Sequence, residues 1–405
     1  MIVKAMIYKR VLITLSFLFL LTYNSFAFYI VGYFPTWTGN VNNIPYDKLT
    51  HINYSFILPT SSGGLSTLGN PSRLNSLVTL AHASNVKVCI AVGGWDIGDG
   101  GGNDNRFETF AADATKRTTF VVNLINFVNT YNLDGVDIDW EYPDPGTSAT
   151  NFALLMKELS DSLHARSKIL TAAVISRGYY GDGIKSEVFD YVDFLNLMAY
   201  DAGNPHSTYS EGYESLNYWI GRGLPPSKAI LGVPFYGRNP YSSYSALVSM
   251  DPQAPNKDYV NSNGNIIYYN GLQTIRNKTN LAKTSGGGIM IWELTMDTND
   301  QNSLLKAIHE AAPLATRDPS LSTTLSIFPN PLSGSEISIF GNPLLKSGSS
   351  LSILNMEGIE LFRKEDMDFS IDQTLEIPDL NPGMYFLKIS NGEISGMEKL
   401  IINKN

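Results

Sequence analysis

The 405-residue chain has a single cysteine, Cys89. One thiol cannot form an intramolecular disulfide, so the fold must be stable without one. Cys89 lies in the apolar run 86–92, in which Lys87 is the one charged residue. A cysteine in such a run is typical of a buried core residue rather than of a reactive or metal-binding thiol.

Positive charge is also scarce. Lysine and arginine total 29 against 38 acidic residues, which gives a net charge of −9. This balance argues against nucleic acid or an anionic membrane as a partner, because both attract basic surfaces. The composition is instead compatible with a neutral substrate.

Long apolar runs are absent beyond the N-terminus. Residues 1–27 contain Lys4, Lys9 and Arg10, then an apolar stretch at 11–21 and a small residue, Ala27. This is the layout of a secretory leader. No later run reaches about 18 apolar residues, the length that a membrane span requires. The sequence therefore predicts a cleavable leader at 1–27 and no stable membrane span.

Eight strand-like apolar runs alternate with helical segments between residues 28 and 313. The runs lie at 28–34, 50–57, 86–92, 135–141, 169–175, 192–200, 229–235 and 288–292. Most are continuously apolar, as expected for parallel strands covered on both faces. Apolar residues with a 3–4 spacing predict helices at 115–131, 151–164 and 303–312.

These alternating units predict an α/β fold, a (β/α)8 barrel at 28–313. A doubly wound open sheet is the alternative. It would usually contain fewer strands and often a glycine-rich phosphate loop, and no convincing loop of that kind is present.

The composition changes after residue 313. The segment 314–324 combines Pro319 with several serines and threonines and is typical of a linker. Seven short strand-like runs follow, at 325–328, 336–340, 351–354, 360–363, 374–377, 384–389 and 396–402. Turn signals such as Asn381-Pro382-Gly383 separate them. The pattern predicts a small all-β sandwich at 325–405.

Three carboxylates occupy alternate positions in the fourth run, Asp137, Asp139 and Glu141. Side chains alternate along a strand, so all three are expected on one face, with successive carboxylates about 7 Å apart. Like charges on one buried face raise the pKa of at least one group, which can then hold a proton at neutral pH.

Glu141 is the outermost of the three acids, at the C-terminal end of the run, where barrel active sites lie. We therefore predict Glu141 as a proton donor, with Asp139 as its polar partner and Asp137 behind. A site for a hard cation is the alternative. It is disfavoured because collinear carboxylates converge poorly on one ion.

The segment 133–143, Leu-Asp-Gly-Val-Asp-Ile-Asp-Trp-Glu-Tyr-Pro, resembles the signature strand of family 18 glycoside hydrolases, the chitinase family. The resemblance extends over roughly 28–312. It implies retaining, substrate-assisted hydrolysis of chitin or N-acetylglucosamine oligomers, with the acetamido group of the substrate as nucleophile. It further implies that Glu141 is acid and base, that Asp139 and Tyr200 hold the acetamido group, and that no metal or organic cofactor is needed.

Other strand-like runs resemble further blocks of the same family. The resemblance implies substrate-binding roles for Tyr33, Phe56, Trp95, Met198, Asp201, Tyr236, Arg238 and Trp292. Trp292 is implied as the floor on which the sugar stacks. By parity, Asn196 shares a strand face with Met198 and Tyr200.

One position departs from the family. Ala91 stands where members usually carry serine. Loss of that hydroxyl puts in doubt a hydrogen bond that would help to hold Asp137 or its neighbours, although not the catalytic acid itself.

The tail contains Phe328-Pro329-Asn330-Pro331 and the run 377–389, which resemble the C-terminal sorting domain of the type IX secretion system. The resemblance implies secretion machinery as a partner and a secreted or cell-surface bacterial location. A carbohydrate-binding sandwich is the alternative, but it would be expected to carry a row of exposed aromatic residues, and the tail has few aromatics.

Two other functions stay open for the barrel. An endo-β-N-acetylglucosaminidase acting on N-glycans would share the acidic strand, although the Trp-Glu-Tyr-Pro ending at 140–143 looks more like chitinases. A non-catalytic chitin-binding lectin on the same barrel would usually lack the terminal acid, and Glu141 is present.

Overall fold

A computed structural model describes residues 28–96, 104–312, 327–340, 345, 348–391 and 395–403. The predicted leader at 1–27 and the predicted linker at 314–324 lie outside the described residues, so both stay predictions. Within the described residues, none of the helices combines the length and the apolar character that crossing a bilayer requires.

Eight parallel strands close into a barrel, which confirms the predicted (β/α)8 fold. The barrel strands are β1 (Tyr29–Pro35), β2 (His51–Ile57), β3 (Lys87–Gly93), β4 (Gly135–Asp139), β5 (Ile169–Ile175), β6 (Phe194–Met198), β7 (Ala229–Pro234) and β12 (Gly288–Trp292). Between β7 and β12, outside the barrel, lie four short strands, β8 (Tyr236–Gly237), β9 (Ser242–Ser243), β10 (Tyr259–Ser262) and β11 (Asn265–Tyr268). The barrel order is β1-β12-β7-β6-β5-β4-β3-β2, so the first and last of its strands are neighbours.

Helices surround the barrel. They are α1 (Pro71–Ala83), α2 (Asn105–Ala111), α3 (Ala114–Thr130), α4 (Thr147–His164), α5 (Val188–Tyr191), α6 (Tyr209–Gly221), α7 (Tyr244–Met250), α8 (Leu272–Ser285) and α9 (Leu304–Ala311). Their starts follow capping chemistry: the Asp113 side chain accepts from the amide of Lys116 at the start of α3. The Ser303 side chain does the same for the amide of Lys306 at the start of α9.

The alternation of side chains along each barrel strand divides the core in two. On β1, Ile30 and Phe34 pack outward against the helices, in the larger apolar cluster. Val31 and Tyr33 point inward, in a smaller cluster inside the barrel. Cys89 is buried, as predicted, and burial raises the pKa of its thiol.

Two predicted barrel strands were too long. We expected strands at 135–141 and 192–200, but β4 ends at Asp139 and β6 ends at Met198. Gly93, the register partner of Asp139, has a φ of +111°, which ends β3 beside β4. Glu141 and Tyr200 therefore lie just beyond their strands, at the mouth of the barrel.

The tail forms two packed antiparallel sheets, which confirms the predicted all-β fold. Its strands are β13 (Ile327–Phe328), β14 (Glu336–Ile339), β15 (Ser349–Leu354), β16 (Glu360–Met367), β17 (Gln373–Glu376), β18 (Gly383–Ser390) and β19 (Ser395–Ile402). The sheet orders are β13-β14-β17 and β16-β15-β18-β19. Ile337 and Leu375 from the first sheet share one apolar core with Leu387 and Leu400 from the second.

The second tail sheet also packs against the barrel. Phe386 on β18 meets Tyr213 and Tyr209 of α6 edge-on, with ring centroids 4.5 and 5.4 Å apart. The Asn277 side chain on α8 donates to the carbonyl oxygen of Glu357 at 2.8 Å. We call these five residues the tail contact.

Candidate active site

Asp137 is the innermost of the three acids and is fixed by three donors. Its carboxylate accepts from the Tyr33 hydroxyl at 2.5 Å, the Thr171 hydroxyl at 2.6 Å and the Asn196 amide at 3.0 Å. Burial raises the pKa of Asp137, and these three bonds oppose that rise. Three hydrogen bonds therefore anchor the Asp137 carboxylate inside the barrel, and its catalytic role stays a prediction.

Ala91 is the register partner of Asp137 on β3. The donors to Asp137 come from β1, β5 and β6, so the carboxylate is held by three bonds without a hydroxyl at position 91. Sequence reasoning missed Thr171. The signal was available, since Thr171 is the one polar residue in the apolar run of β5.

Asp139 lies one step nearer to the barrel mouth and is buried. Its Oδ1 accepts no hydrogen bond within the described part of the chain. Burial raises the pKa of Asp139 well above its ordinary value, and the charges of Glu141 and Asp137 raise it further. Mutual repulsion between neighbouring carboxylates in this buried setting therefore opposes ionisation of all three at once.

Glu141 follows β4 at the mouth. Burial raises the pKa of Glu141 to about 7, a hydrogen bond with Tyr142 opposes this, and the charge of Asp201 adds to it. A carboxyl group with this pKa can both give and take a proton at neutral pH. No cluster of three or more His, Cys, Asp or Glu side chains in the described residues is arranged to hold a metal ion.

Aromatic rings from three strands form a floor beside the acids. The Phe56 ring stacks on Trp292, with centroids 5.7 Å apart and an interplanar angle of 23°. Tyr33 meets Trp292 edge-on at 5.5 Å. Trp292 on β12 is therefore in contact with Tyr33 and Phe56, although β12 lies far from β1 and β2 in the chain.

Trp37 extends this floor and was not predicted as a site residue. Its ring stacks on Phe56 at 6.4 Å, and 65 % of the residue is exposed. Its position in the conspicuous run 31–37 was a signal that sequence reasoning left unused.

Tyr200 and Met198 belong to the same inner cluster of side chains as the Trp292 ring. Tyr200 meets Tyr236 edge-on, with centroids 6.2 Å apart, and Met198 packs in the inner cluster to which Tyr33 belongs. Burial raises the pKa of the Tyr200 hydroxyl well above its ordinary value, so this group is a neutral donor.

Asp201 and Arg238 form an ion pair at the rim. The Arg238 Nε donates to Asp201 Oδ1 at 2.7 Å, and a second guanidinium nitrogen contacts Oδ2. Burial alone would raise the pKa of Asp201, but hydrogen bonds from His206 and Arg238 hold it well below the usual range. Sequence reasoning missed His206, which lies buried against Tyr236 with ring centroids 5.1 Å apart.

Trp95 is the one predicted site residue that the structure does not join to the others. It follows β3 and is 58 % exposed, and none of the aromatic contacts in the described residues includes it. The binding role of Trp95 therefore stays a prediction without a supporting contact.

Three non-proline cis peptide bonds lie next to these side chains. They join Ser55 to Phe56, Glu141 to Tyr142 and Trp292 to Glu293. The sequence pattern gave no indication of them.

Two family models match the chain. The model described as glycosyl hydrolases family 18 matches residues 29–297, which include every predicted site residue. The model described as secretion system C-terminal sorting domain matches residues 326–403, which correspond to the tail.

Solved structures and curated proteins agree with this assignment. The GH18 chitinase ChiB from the chitin utilization locus of Flavobacterium johnsoniae is 30 % identical, with a TM-score of 0.63, over 71 % of this chain and 94 % of that chain. A chitinase from Bacteroides thetaiotaomicron is 27 % identical, with a TM-score of 0.62, over 70 % of this chain and 96 % of that one. Chitinase A1 of Niallia circulans is 26 % identical over 69 % of this chain, which spans 58 % of that relative's length.

Proposed function

The chain belongs to glycosyl hydrolases family 18, and we propose that it hydrolyses β-1,4-linked N-acetylglucosamine polymers, chitin or its oligomers, with retention at the anomeric carbon. One observation carries the proposal: the three acids from Asp137 to Glu141 lie in a row, and each has different hydrogen-bond partners and a different environment. The innermost acid is anchored by three donors, the middle one has an oxygen that accepts no bond, and the outer one has a pKa of about 7.

The acetamido group of the sugar binds between Asp139 and Tyr200. The unpartnered Oδ1 of Asp139 is suited to accept the acetamide N–H, and the neutral hydroxyl of Tyr200 binds the same group. Held in this way, the acetamido oxygen attacks the anomeric carbon of its own sugar. Asp139 then stabilises the positive charge that develops on the oxazolinium-like intermediate.

Glu141 transfers the proton in both steps. In its protonated form it donates to the leaving glycosidic oxygen, and in its ionised form it takes a proton from the incoming water. A pKa near 7 makes both forms accessible at neutral pH. These two reaction steps need no metal ion and no organic cofactor.

Aromatic and charged side chains position the polymer around these groups. Trp292 is proposed as the surface under the sugar at the cleavage point, with Tyr33 and Phe56 fixing its ring. The Asp201–Arg238 pair offers polar contacts at the rim. Stacking and hydrogen bonding of this kind suit an uncharged sugar, in line with the net charge of −9.

The decisive experiment compares two substrates with the barrel-containing chain. We expect turnover of chitin oligomers, with the β anomer as first product by NMR, and little release of glycan from an N-glycoprotein. The reverse preference would indicate an endo-β-N-acetylglucosaminidase. Binding of oligomers without turnover of either substrate would indicate a lectin.

We also propose that residues 325–405 direct export and that the leader at 1–27 precedes this step, so that the enzyme is secreted or displayed at the cell surface. The match of residues 326–403 to a sorting domain supports this. Deletion of 325–405 is expected to retain the enzyme in the cell while chitin binding persists. Loss of chitin binding with intact export would instead indicate a carbohydrate-binding domain.

A further inference from the structure

Lys278 is a lysine on α8 that is completely buried in the helix layer outside the barrel. Its Nζ donates to the Ser207 carbonyl oxygen at 2.8 Å, the Ser207 Oγ at 2.7 Å and the Asn270 Oδ1 at 2.8 Å. No ion pair in the described residues includes Lys278. Burial of an ammonium group without a paired carboxylate costs free energy of folding. We therefore examine what Lys278 contributes in return.

Each N–H bond of the Lys278 ammonium group has a hydrogen-bond acceptor, and the acceptors are themselves held in place. The Ser207 hydroxyl uses its proton on the Ala199 carbonyl oxygen at 2.7 Å, so its lone pairs are available to the ammonium group. The Asn270 amide donates to the Ser207 carbonyl oxygen at 2.7 Å, which turns Oδ1 towards Lys278. Three acceptors then match the three N–H bonds of the ammonium form.

This cluster is linked to the proposed active site through the chain between β6 and α6. Ala199, which accepts from Ser207, directly precedes Tyr200 and Asp201. Further along, the amide of Ala202 donates to the carbonyl oxygen of His206 at 3.1 Å, so the segment turns back on itself. Ser207 thereby joins the end of this turn to its beginning.

The backbone conformation of Asp201 makes this turn depend on surrounding contacts. It adopts a left-handed conformation, with a φ of 60°, which is uncommon for residues other than glycine even though asparagine and aspartate adopt it more often than most. The buried His206 contacts its carboxylate at 3.2 Å. A segment with this conformation keeps its shape only when surrounding contacts determine it.

We infer that Lys278 is a positioning residue for the proposed hydrolysis, because through Ser207 it fixes the segment 199–207 and so places Tyr200 and Asp201 before substrate binds. The inference rests on the proposed function. Burial lowers the pKa of Lys278 to about 7, and the nearby charges of Asp258 and Glu211 oppose that fall. The three acceptors around Nζ nevertheless match the ammonium form.

The test uses the full chain and labelled chitin oligomers. Lys278→Met is expected to lower kcat/KM roughly 10- to 100-fold, because misplacement of reacting groups by about 1 Å can cost about 100-fold. Lys283→Met, a half-buried lysine on the same helix, is the matched control and should stay within about twofold of wild type.

Ser207→Ala gives a second, milder variant in case Lys278→Met does not fold. It removes one acceptor from Lys278 and the donor to Ala199, and we expect a roughly fivefold lower kcat together with a lower melting temperature, because buried polar groups lose their partners. In a Tyr200→Phe background the same change should have almost no further effect, because both act on one segment. Full additivity of the two changes would overturn the inference.

Hydrogen exchange of the 199–207 segment separates this inference from the proposed function. Faster exchange in Ser207→Ala than in wild type supports the positioning role even if no substrate is turned over. Unchanged exchange and unchanged kcat in a folded Ser207→Ala variant would overturn it. Inactivity of the wild type on both substrates would count against the proposed function alone.

Discussion

The barrel and the tail bury very different kinds of residues. The barrel buries the carboxyl groups of Asp137 and Asp139 and the ammonium group of Lys278, whereas the polar residues buried in the described part of the tail are two serines, Ser349 and Ser352. Burial of a charged group costs free energy unless it is paired or used. The difference shows where chemistry is to be sought, since the tail core can be explained by apolar packing alone.

The change expected to have the largest effect removes the outer acid of the barrel. Glu141→Gln should lower turnover of chitin oligomers roughly a thousandfold, because proton transfer by a positioned group contributes about 10²- to 10⁴-fold. Oligomer binding, measured by calorimetry, should persist. Glu376→Gln on exposed β17 is the matched control in the tail and should leave turnover unchanged. Near-wild-type turnover of Glu141→Gln would remove Glu141 as the catalytic acid.

The next effect concerns the groups proposed to hold the acetamido group. Asp139→Asn and Tyr200→Phe should each lower kcat roughly 100-fold, because each removes an interaction that strengthens in the transition state. Asp366→Asn on the exposed strand β16 serves as the control. A rise in KM with an unchanged kcat would contradict the proposed role, since it would indicate substrate binding alone.

A smaller effect concerns stability against pH. The folded chain raises the pKa of Glu141 from 4.5 to about 7, so the folded state holds this proton more tightly than the unfolded state. Stability contributed by the protonated form is therefore present below about pH 4.5 and is lost as pH rises to about 7.

Glu141→Gln removes that loss because glutamine does not titrate. The variant should gain roughly 2 kcal/mol in free energy of unfolding relative to wild type between pH 4.5 and 7.5, measured by urea titration at several pH values. Glu376→Gln should show no such trend. A constant difference between Glu141→Gln and wild type across this range would contradict the raised pKa.

The smallest effect lies at the tail contact. Phe386→Leu keeps an apolar side chain on β18 but loses the edge-on contacts with Tyr209 and Tyr213, which should cost about 1 kcal/mol. Urea titration should show the loss, while turnover stays within twofold of wild type. Phe340→Leu, at a half-exposed position, is the control. A large fall in turnover would mean that the tail contact supports the active site.

The sequence pattern predicted most of the fold because burial on both faces leaves a clear signal in parallel strands. β5 and β12 begin and end where they were predicted, at Ile169–Ile175 and Gly288–Trp292. β16 was predicted only at 360–363 but extends to Met367. Its later residues are polar and mostly exposed, and a strand held mainly by backbone bonds gives little periodic signal.

The candidate site divides in a similar way. Acids at alternate positions on an apolar strand stand out, so Asp137, Asp139 and Glu141 were found from spacing. His206 and Lys278 were missed because neither belongs to a pattern along the chain. Tyr236, against which His206 packs, and Ser207, to which Lys278 donates, lie on other segments. Such contacts depend on loop geometry that local sequence does not encode.

The candidate site can form during folding only after β1 pairs with β12 and closes the barrel. Tyr33 comes from the first barrel strand and Trp292 from the last, and their rings meet only after the two strands pair. Contacts between such distant segments form late, since the entropy of closing a long loop must be overcome first. A nascent or truncated chain that ends before Trp292 would carry all three acids and yet lack the ring contacts that Tyr33 and Phe56 make with Trp292.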